Sequence, residues 1–308
     1  MTLQTLGFIG LGVMGEPMCA NLAAKSGARV LCHDLDAAPM RRLAERGAVP
    51  ADSLRALAHE ASVVFLCLAS AQAAESVVEA LAEAWQSEEG GEGHRTVVDM
   101  GTTSVLATRR MAERLAQAGH RFVDAPVARM PAAAIAGTLS IMAGGTAEDV
   151  SALMPHFRCM GSDITHCGGT GAGQVVKILH NTVLFEAVQA LAEALAEAMA
   201  VARAHGVDGA VLLDAIELGS ADSRAARVQG REALLPRHYP EGRFATRYAL
   251  KDVSLALELA QAVGLEAAMA RETASTLRRT IDAGWGDRYY PALYELVSAA
   301  PPRDAAND

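Results

Sequence analysis

The chain has 308 residues, 51% hydrophobic and 20% charged, with a formal net charge of −9 at pH 7. That length suits one large domain or two ordinary ones with a real core. The acidic balance argues against nucleic acid or an anionic membrane as the main partner, and no apolar run approaches the ~18 residues of a membrane span.

Small anionic ligands stay open, because a local cluster of Lys and Arg can override the global sign. Cys19, Cys32, Cys67, Cys159 and Cys167 are scattered without C-x-x-C spacing. They are expected to be reduced core residues rather than a disulfide frame or a metal site. The opening MTLQTLGFIG enters a strand pattern at once, with no basic or apolar leader, so the expected address is the cytoplasm.

In chain order, strands are expected at Leu6–Ile9, Arg29–Cys32, Val63–Leu68, Thr96–Asp99 and Arg121–Asp124, with one more at Leu139–Ala143. Helical patterns lie between them at Met14–Ser26, Ala37–Arg46, Ala73–Trp85 and Val105–Ala118, and Glu88–Gly93 reads as a polar surface loop. Strands alternating with helices imply βαβ units and a parallel sheet. From Thr170 the character changes. Gln174 to about His205 is an Ala/Leu/Glu pattern without proline, long enough for a helix of roughly 45 Å. Further helical segments follow near Val207–Glu217, Arg247–Ala262 and Glu266–Asp282. The expected fold is an α/β Rossmann domain at 1–167, then an all-α domain at 168–308 entered through a long helix.

Two stretches carry chemistry. GFIGLGVMGEPM has G-x-G-x-x-G at Gly10, Gly12 and Gly15, after the first strand and at the start of the first helix. Exposed N–H groups and the helix dipole favour a pyrophosphate there, so Gly10, Leu11, Gly12, Val13, Met14 and Gly15 are candidate cofactor residues. Asp34 ends the second strand, 19 residues after Gly15. A carboxylate there accepts from a ribose hydroxyl pair and repels a 2′-phosphate, which favours NAD over NADP. The other reading of Asp34 is a turn-former.

The second stretch is GAGQVVKILHN at 171–181. Residues four apart share a helix face, so Lys177 and Asn181 lie side by side among Val175, Val176, Ile178 and Leu179, apolar residues expected to be buried. Either the lysine snorkels beside a capping amide, or the pair faces a substrate.

The opening GFIGLGVMGEPMCANL resembles that of the β-hydroxyacid dehydrogenases, the family of 3-hydroxyisobutyrate dehydrogenase and tartronate semialdehyde reductase. DMGTTS at 99–104, DAPVARMPAAAIAGTLSIMAGG at 124–145, GAGQVVKILHN and FATRYALKDVSLAL at 244–257 are similar to further motifs of that family, in its order. The resemblance implies Lys177 as the acid/base and Asn181 as a substrate-holding residue. It also implies that Thr102 touches the cofactor, that Lys251 contacts its nicotinamide half, and that Leu68 and Ala69 pass over it. Ala69 stands where the family has proline. Ala128, Arg129 and Met130 replace its Ser-Gly-Gly at the substrate carboxylate, Val105 replaces a proline, and His180 replaces an asparagine.

The expected reaction is a reversible NAD- or NADP-linked oxidation of a β-hydroxyacid to its semialdehyde, in a homodimer or homotetramer. In oxidation a neutral amine on Lys177 takes the alcohol proton; in reduction the ammonium returns it. Arg129 is expected to bring a fork of donors to the substrate carboxylate, the alternative being a surface ion pair. Imine reductases share the architecture but generally lack this lysine. A short 6-phosphogluconate-dehydrogenase-like enzyme and a non-catalytic dinucleotide-binding scaffold are the other rivals. Ser223 and Phe244 are read as either site or structural residues, and Asp124-Ala125-Pro126 as a turn. His33, His94, His120, His156 and His166 are read as surface or capping residues, and no metal is expected.

Overall fold

A computed structural model describes residues 4–86 and 94–298; the expected loop Glu88–Gly93 lies outside them. The chain divides into two compact units, 1–177 and 178–308. The first alternates β1 Thr5–Ile9, α1 Gly15–Lys25, β2 Arg29–His33, α2 Ala37–Ala44, β3 Val49–Pro50 and α3 Leu54–Glu60. It continues with β4 Val63–Leu66, α4 Ala71–Gln86, β5 Thr96–Asp99, α5 Val105–Gln117 and β6 Arg121–Asp124. Then come β7 Val127–Ala128, α6 Pro131–Ala136, β8 Leu139–Gly144, α7 Ala147–Met160 and β9 Gly161–Gly168.

The sheet runs β3-β2-β1-β4-β5-β6-β8-β7, with β9 beside β8. Strands β1 to β6 pair in parallel, whereas β8 meets β6 and β7 antiparallel. β4 is buried at every position, as a parallel strand covered by helices on both faces must be. Side chains of Asp36, Ser53, Ser104 and Thr146 cap the helices that follow them, each satisfying an otherwise unpaired N–H. Chain order reverses between β1 and β4. In a doubly wound sheet that crevice, at the carboxyl ends of the strands, is where ligands bind.

Helix α8 spans Ala172–Ala204, 33 residues, or about 50 Å. The units divide inside it, after Lys177, later than the boundary read from the sequence. The second unit holds the rest of α8, then α9 Gly209–Leu218, a π-helical stretch Ala226–Leu234, α10 Thr246–Ala262, α11 Ala268–Thr280 and α12 Tyr294–Ser298. Its core gathers Phe185, Val188, Leu213, Leu234, Tyr290 and Leu293. Among the described residues no helix is long and apolar enough to cross a membrane. All five cysteines are free; Cys19, Cys32 and Cys159 are buried.

Candidate active site

The turn after β1 is built around missing side chains. Gly10 has φ +92°, and a Cβ there would lie 2.4 Å from the Cys67 carbonyl oxygen. A Cβ on Gly15 would lie 1.9 Å from the Gly10 oxygen, so only glycine lets α1 start against the strand. A Cβ on Gly12 would meet nothing within 4 Å. Open space at a helix N-terminus suits a ligand phosphate. Val13 is exposed and Met14 half-buried beside it. Asp34 Oδ2 accepts from Leu11 N at 2.5 Å and Oδ1 from Asp36 N at 2.9 Å, so its carboxylate is held at the rim of the cradle. Glu16, an acid in the first turn of α1, is neutralised by a two-pronged pair with Arg42 at 2.7 Å on each arm. That pairing holds the Glu16 carboxyl below its usual range. The residues present therefore fit a dinucleotide.

Two further loops end at the same edge of this unit. A Cβ on Gly10 would come 2.9 Å from Leu68 Cδ2, and one on Gly101 would come 3.1 Å from Leu68 O. Leu68 thus sits between the cradle and the loop carrying half-buried Thr102, with Ala69 exposed beyond it. Burial, with the charge of Asp99 adding, pushes the Cys67 thiol up to about 12. It stays protonated at neutral pH.

In the 124–145 segment Ala128 is buried, Met130 precedes α6, and Arg129 has φ +89°. The sequence sends the Arg129 guanidinium to a substrate carboxylate. The structure gives its donors to Thr138 O at 2.5 Å, Ser162 Oγ at 3.1 Å and Asp163 Oδ2 at 2.7 Å, so a ligand would have to displace Asp163. The reading of Asp124 as a turn-former is too weak. Its buried carboxylate accepts from Gly171 N at 2.7 Å and Gln174 N at 2.9 Å, capping the start of α8. Burial raises the carboxyl while those N–H groups pull it down; burial wins.

Helix α8 buries Ile178 as expected but departs from the expected pattern at its neighbours. Lys177 and Asn181 are 6% and 4% exposed, while Val176 and Leu179, expected to be buried, are 40% and 48% exposed. Desolvating an ammonium costs several kcal/mol, so packing alone would have turned these positions the other way.

In the second unit Asn181 Nδ2 donates to Asp252 Oδ2 at 2.6 Å, and Asp252 Oδ1 pairs with Lys251 Nζ at 3.1 Å. His180 Nδ1 lies 3.1 Å from Asn181 Oδ1. Asp252 is 1% exposed and orients the Asn181 amide. A signal was present: Ala249, Asp252, Val253, Ala256 and Ala260 form the buried stripe of α10, and an acid there needs a partner. Ser223 accepts from Ala226 N at 3.0 Å, a helix-cap contact. Phe244 rests on Phe185 and Tyr290, with centroids 5.7 and 6.3 Å away. His156, expected as a surface or capping residue, is buried edge-on to Phe65.

Residues 5–169 match the family described as the NAD binding domain of 6-phosphogluconate dehydrogenase. Residues 171–297 match that described as NAD-binding of NADP-dependent 3-hydroxyisobutyrate dehydrogenase. The chain is 35% identical to 3-hydroxyisobutyrate dehydrogenase of Pseudomonas aeruginosa over 271 residues, 85% of this chain and 87% of that one. It is 33% identical to 2-hydroxy-3-oxopropionate reductase of Escherichia coli over 264 residues, 84% and 85% of the two chains. The solved 3-hydroxyisobutyrate dehydrogenase of Mycobacterium tuberculosis with L-serine superposes with a TM-score of 0.84 at 26% identity, covering 97% of this chain and all of that one. Because the likeness runs through the glycine cradle and the long helix alike, the chain belongs to the β-hydroxyacid dehydrogenases, NAD(P)-linked oxidoreductases acting on hydroxyl groups.

Proposed function

We propose that the chain interconverts a small β-hydroxyacid, of the 3-hydroxyisobutyrate or tartronate semialdehyde type, and its semialdehyde, with Lys177 as general acid/base. One observation carries the reading: α8 buries an ammonium and an amide one turn apart while leaving Val176 and Leu179 exposed beside them. The nicotinamide supplies a hydride acceptor in oxidation and a donor in reduction. Lys177 removes the proton from the substrate hydroxyl in oxidation and returns it to the forming alkoxide in reduction. Asn181, fixed by Asp252, orients the substrate oxygens. The main chain of Ala128, Arg129 and Met130 receives the acid group, with the guanidinium left on Asp163. Gly10 to Gly15 cradle the pyrophosphate, Leu68, Ala69 and Thr102 border the cofactor, and Lys251 reaches its nicotinamide half. Asp34 favours NAD, since a 2′-phosphate beside that carboxylate would be repelled.

The reading extends to a cytoplasmic homodimer or homotetramer. Five free thiols suit a reducing compartment. An exposed stripe of Val183, Ala187, Ala190, Ala194 and Val201 on α8 suits helix packing against a second copy. The test is steady-state kinetics of wild type and Lys177→Ala, with NAD and with NADP, on several β-hydroxyacids. Turnover of the variant should fall by about 10²–10⁴ with cofactor binding unchanged, and wild type should prefer NAD in kcat/KM. A fall of less than tenfold would remove Lys177 from the proton transfer, and a preference for NADP would remove the Asp34 assignment.

A further inference from the structure

The side chain of Gln174, one turn ahead of Lys177 and 0% exposed, has no part in the reaction described above. Its Nε2 donates to Gly101 O at 2.8 Å and its Oε1 accepts from Thr103 N at 3.1 Å. The amide therefore pairs with the main chain on both sides of Thr102, as a neighbouring strand would. One partner can only accept and the other can only donate, so the amide has a single possible orientation. The backbone of the same turn is held as firmly. Gln174 N and Gly171 N donate to Asp124, and a Cβ on Gly173 would lie 2.2 Å from the Met142 oxygen. The first turn of α8 is thus fixed to the ends of β6 and β8 by its main chain, and to the loop after β5 by this one side chain.

We propose that Gln174 is a positioning residue that sets the Thr102 loop against the turn carrying Lys177. This rests on the reading that Lys177 transfers the proton and that Thr102 borders the cofactor. Gln174 touches neither substrate nor cofactor; it fixes the distance between the groups that do. Misplacement by about 1 Å at such a junction can cost on the order of 10²-fold in rate. The pyrophosphate cradle and Asp34 lie on other loops, so cofactor affinity should be spared.

Gln174→Glu and Gln174→Met test this. As a carboxylate, Glu sets an acceptor against the Gly101 carbonyl. Protonated, it regains one donor and one acceptor in the shape of the native amide, and burial raises its pKa toward the accessible range. The ratio of kcat for Gln174→Glu to that of wild type, taken at each pH, should be low above pH 8 and recover toward one as the pH falls to 5.5. Gln174→Met keeps the volume without either hydrogen bond. Its kcat should be reduced by on the order of 10–10² at every pH, with the dissociation constant for NAD within about threefold of wild type. A Glu variant whose ratio is flat with pH, a Met variant with wild-type kcat, or losses of kcat and NAD affinity in equal proportion would each overturn the proposal. Lys177→Ala separates it from the reading beneath it. If that variant is inactive while Gln174→Met turns over normally, only the positioning role fails; if Lys177→Ala is active, the reading itself fails.

Discussion

Arg129 holds a backbone conformation that glycine adopts freely, φ +89°, at a position where the family resemblance places glycine. A side chain there costs roughly 1–3 kcal/mol, and a partly exposed ion pair returns about 0–1 kcal/mol. Arg129→Gly should therefore be more stable than wild type by about 1 kcal/mol in urea unfolding. Arg129→Ala keeps the strain and loses the pair, so it should be no more stable than wild type. The same variant asks what receives the substrate's acid group. With the main chain in that role, Arg129→Gly keeps its kcat/KM on carboxylate substrates. A loss of about 10- to 150-fold confined to charged substrates would return the role to the guanidinium.

Helix α7 carries a group that makes stability depend on pH. His156 is buried against Phe65, its Nδ1 has no hydrogen-bond partner, and desolvation holds its pKa below the ordinary 6.5. In the unfolded chain the imidazole takes a proton first. Its contribution to stability is complete above pH 6.5 and lost as the pH falls through the lowered folded value. Unfolding midpoints of wild type should decline from pH 7 to pH 5, and those of His156→Leu should decline less; parallel slopes would assign the acid sensitivity elsewhere. This helix was also among those the sequence hid. Pro155 interrupts its interior, although Thr146 three residues before Asp149 marked its start. β9 went unseen because half of its residues are exposed and it shows no apolar face. The strands β1, β2, β4, β5 and β6 were legible because each buries a continuous apolar run. The site divided in the same way. Local spacing singled out the glycines, Asp34, Lys177 and Asn181 as candidates. Asp124, Gln174 and Asp252 acquire meaning only from partners 47, 71 and 71 residues away, which no local pattern encodes.

For the whole molecule, the proposed assembly rests on the exposed face of α8. Val183 and Val201 are 66% and 60% exposed, and Val201 lines a groove of about 640 Å³ with Ala194, Ala198 and Leu212. Alanines along a helix let a second helix approach to about 8 Å. Ala194→Glu should then lower the mass measured by light scattering toward 32.2 kDa, that of a single chain. An unchanged mass would place the interface elsewhere.

The division of the chain after Lys177 has a consequence for how such a protein can change. The boundary between its compact units falls between Lys177 and Asn181, in the second turn of one unbroken helix. A recombination event that exchanged either half would hand Lys177 to one lineage and Asn181 to another, and would have to rejoin them in helical phase, since one residue more or less turns every later side chain by 100°. Dinucleotide-binding units often pass between proteins as modules. On the roles proposed for Lys177 and Asn181, the chemistry is inherited only with the whole chain, and drift in substrate preference is left to single substitutions in loops such as 128–130.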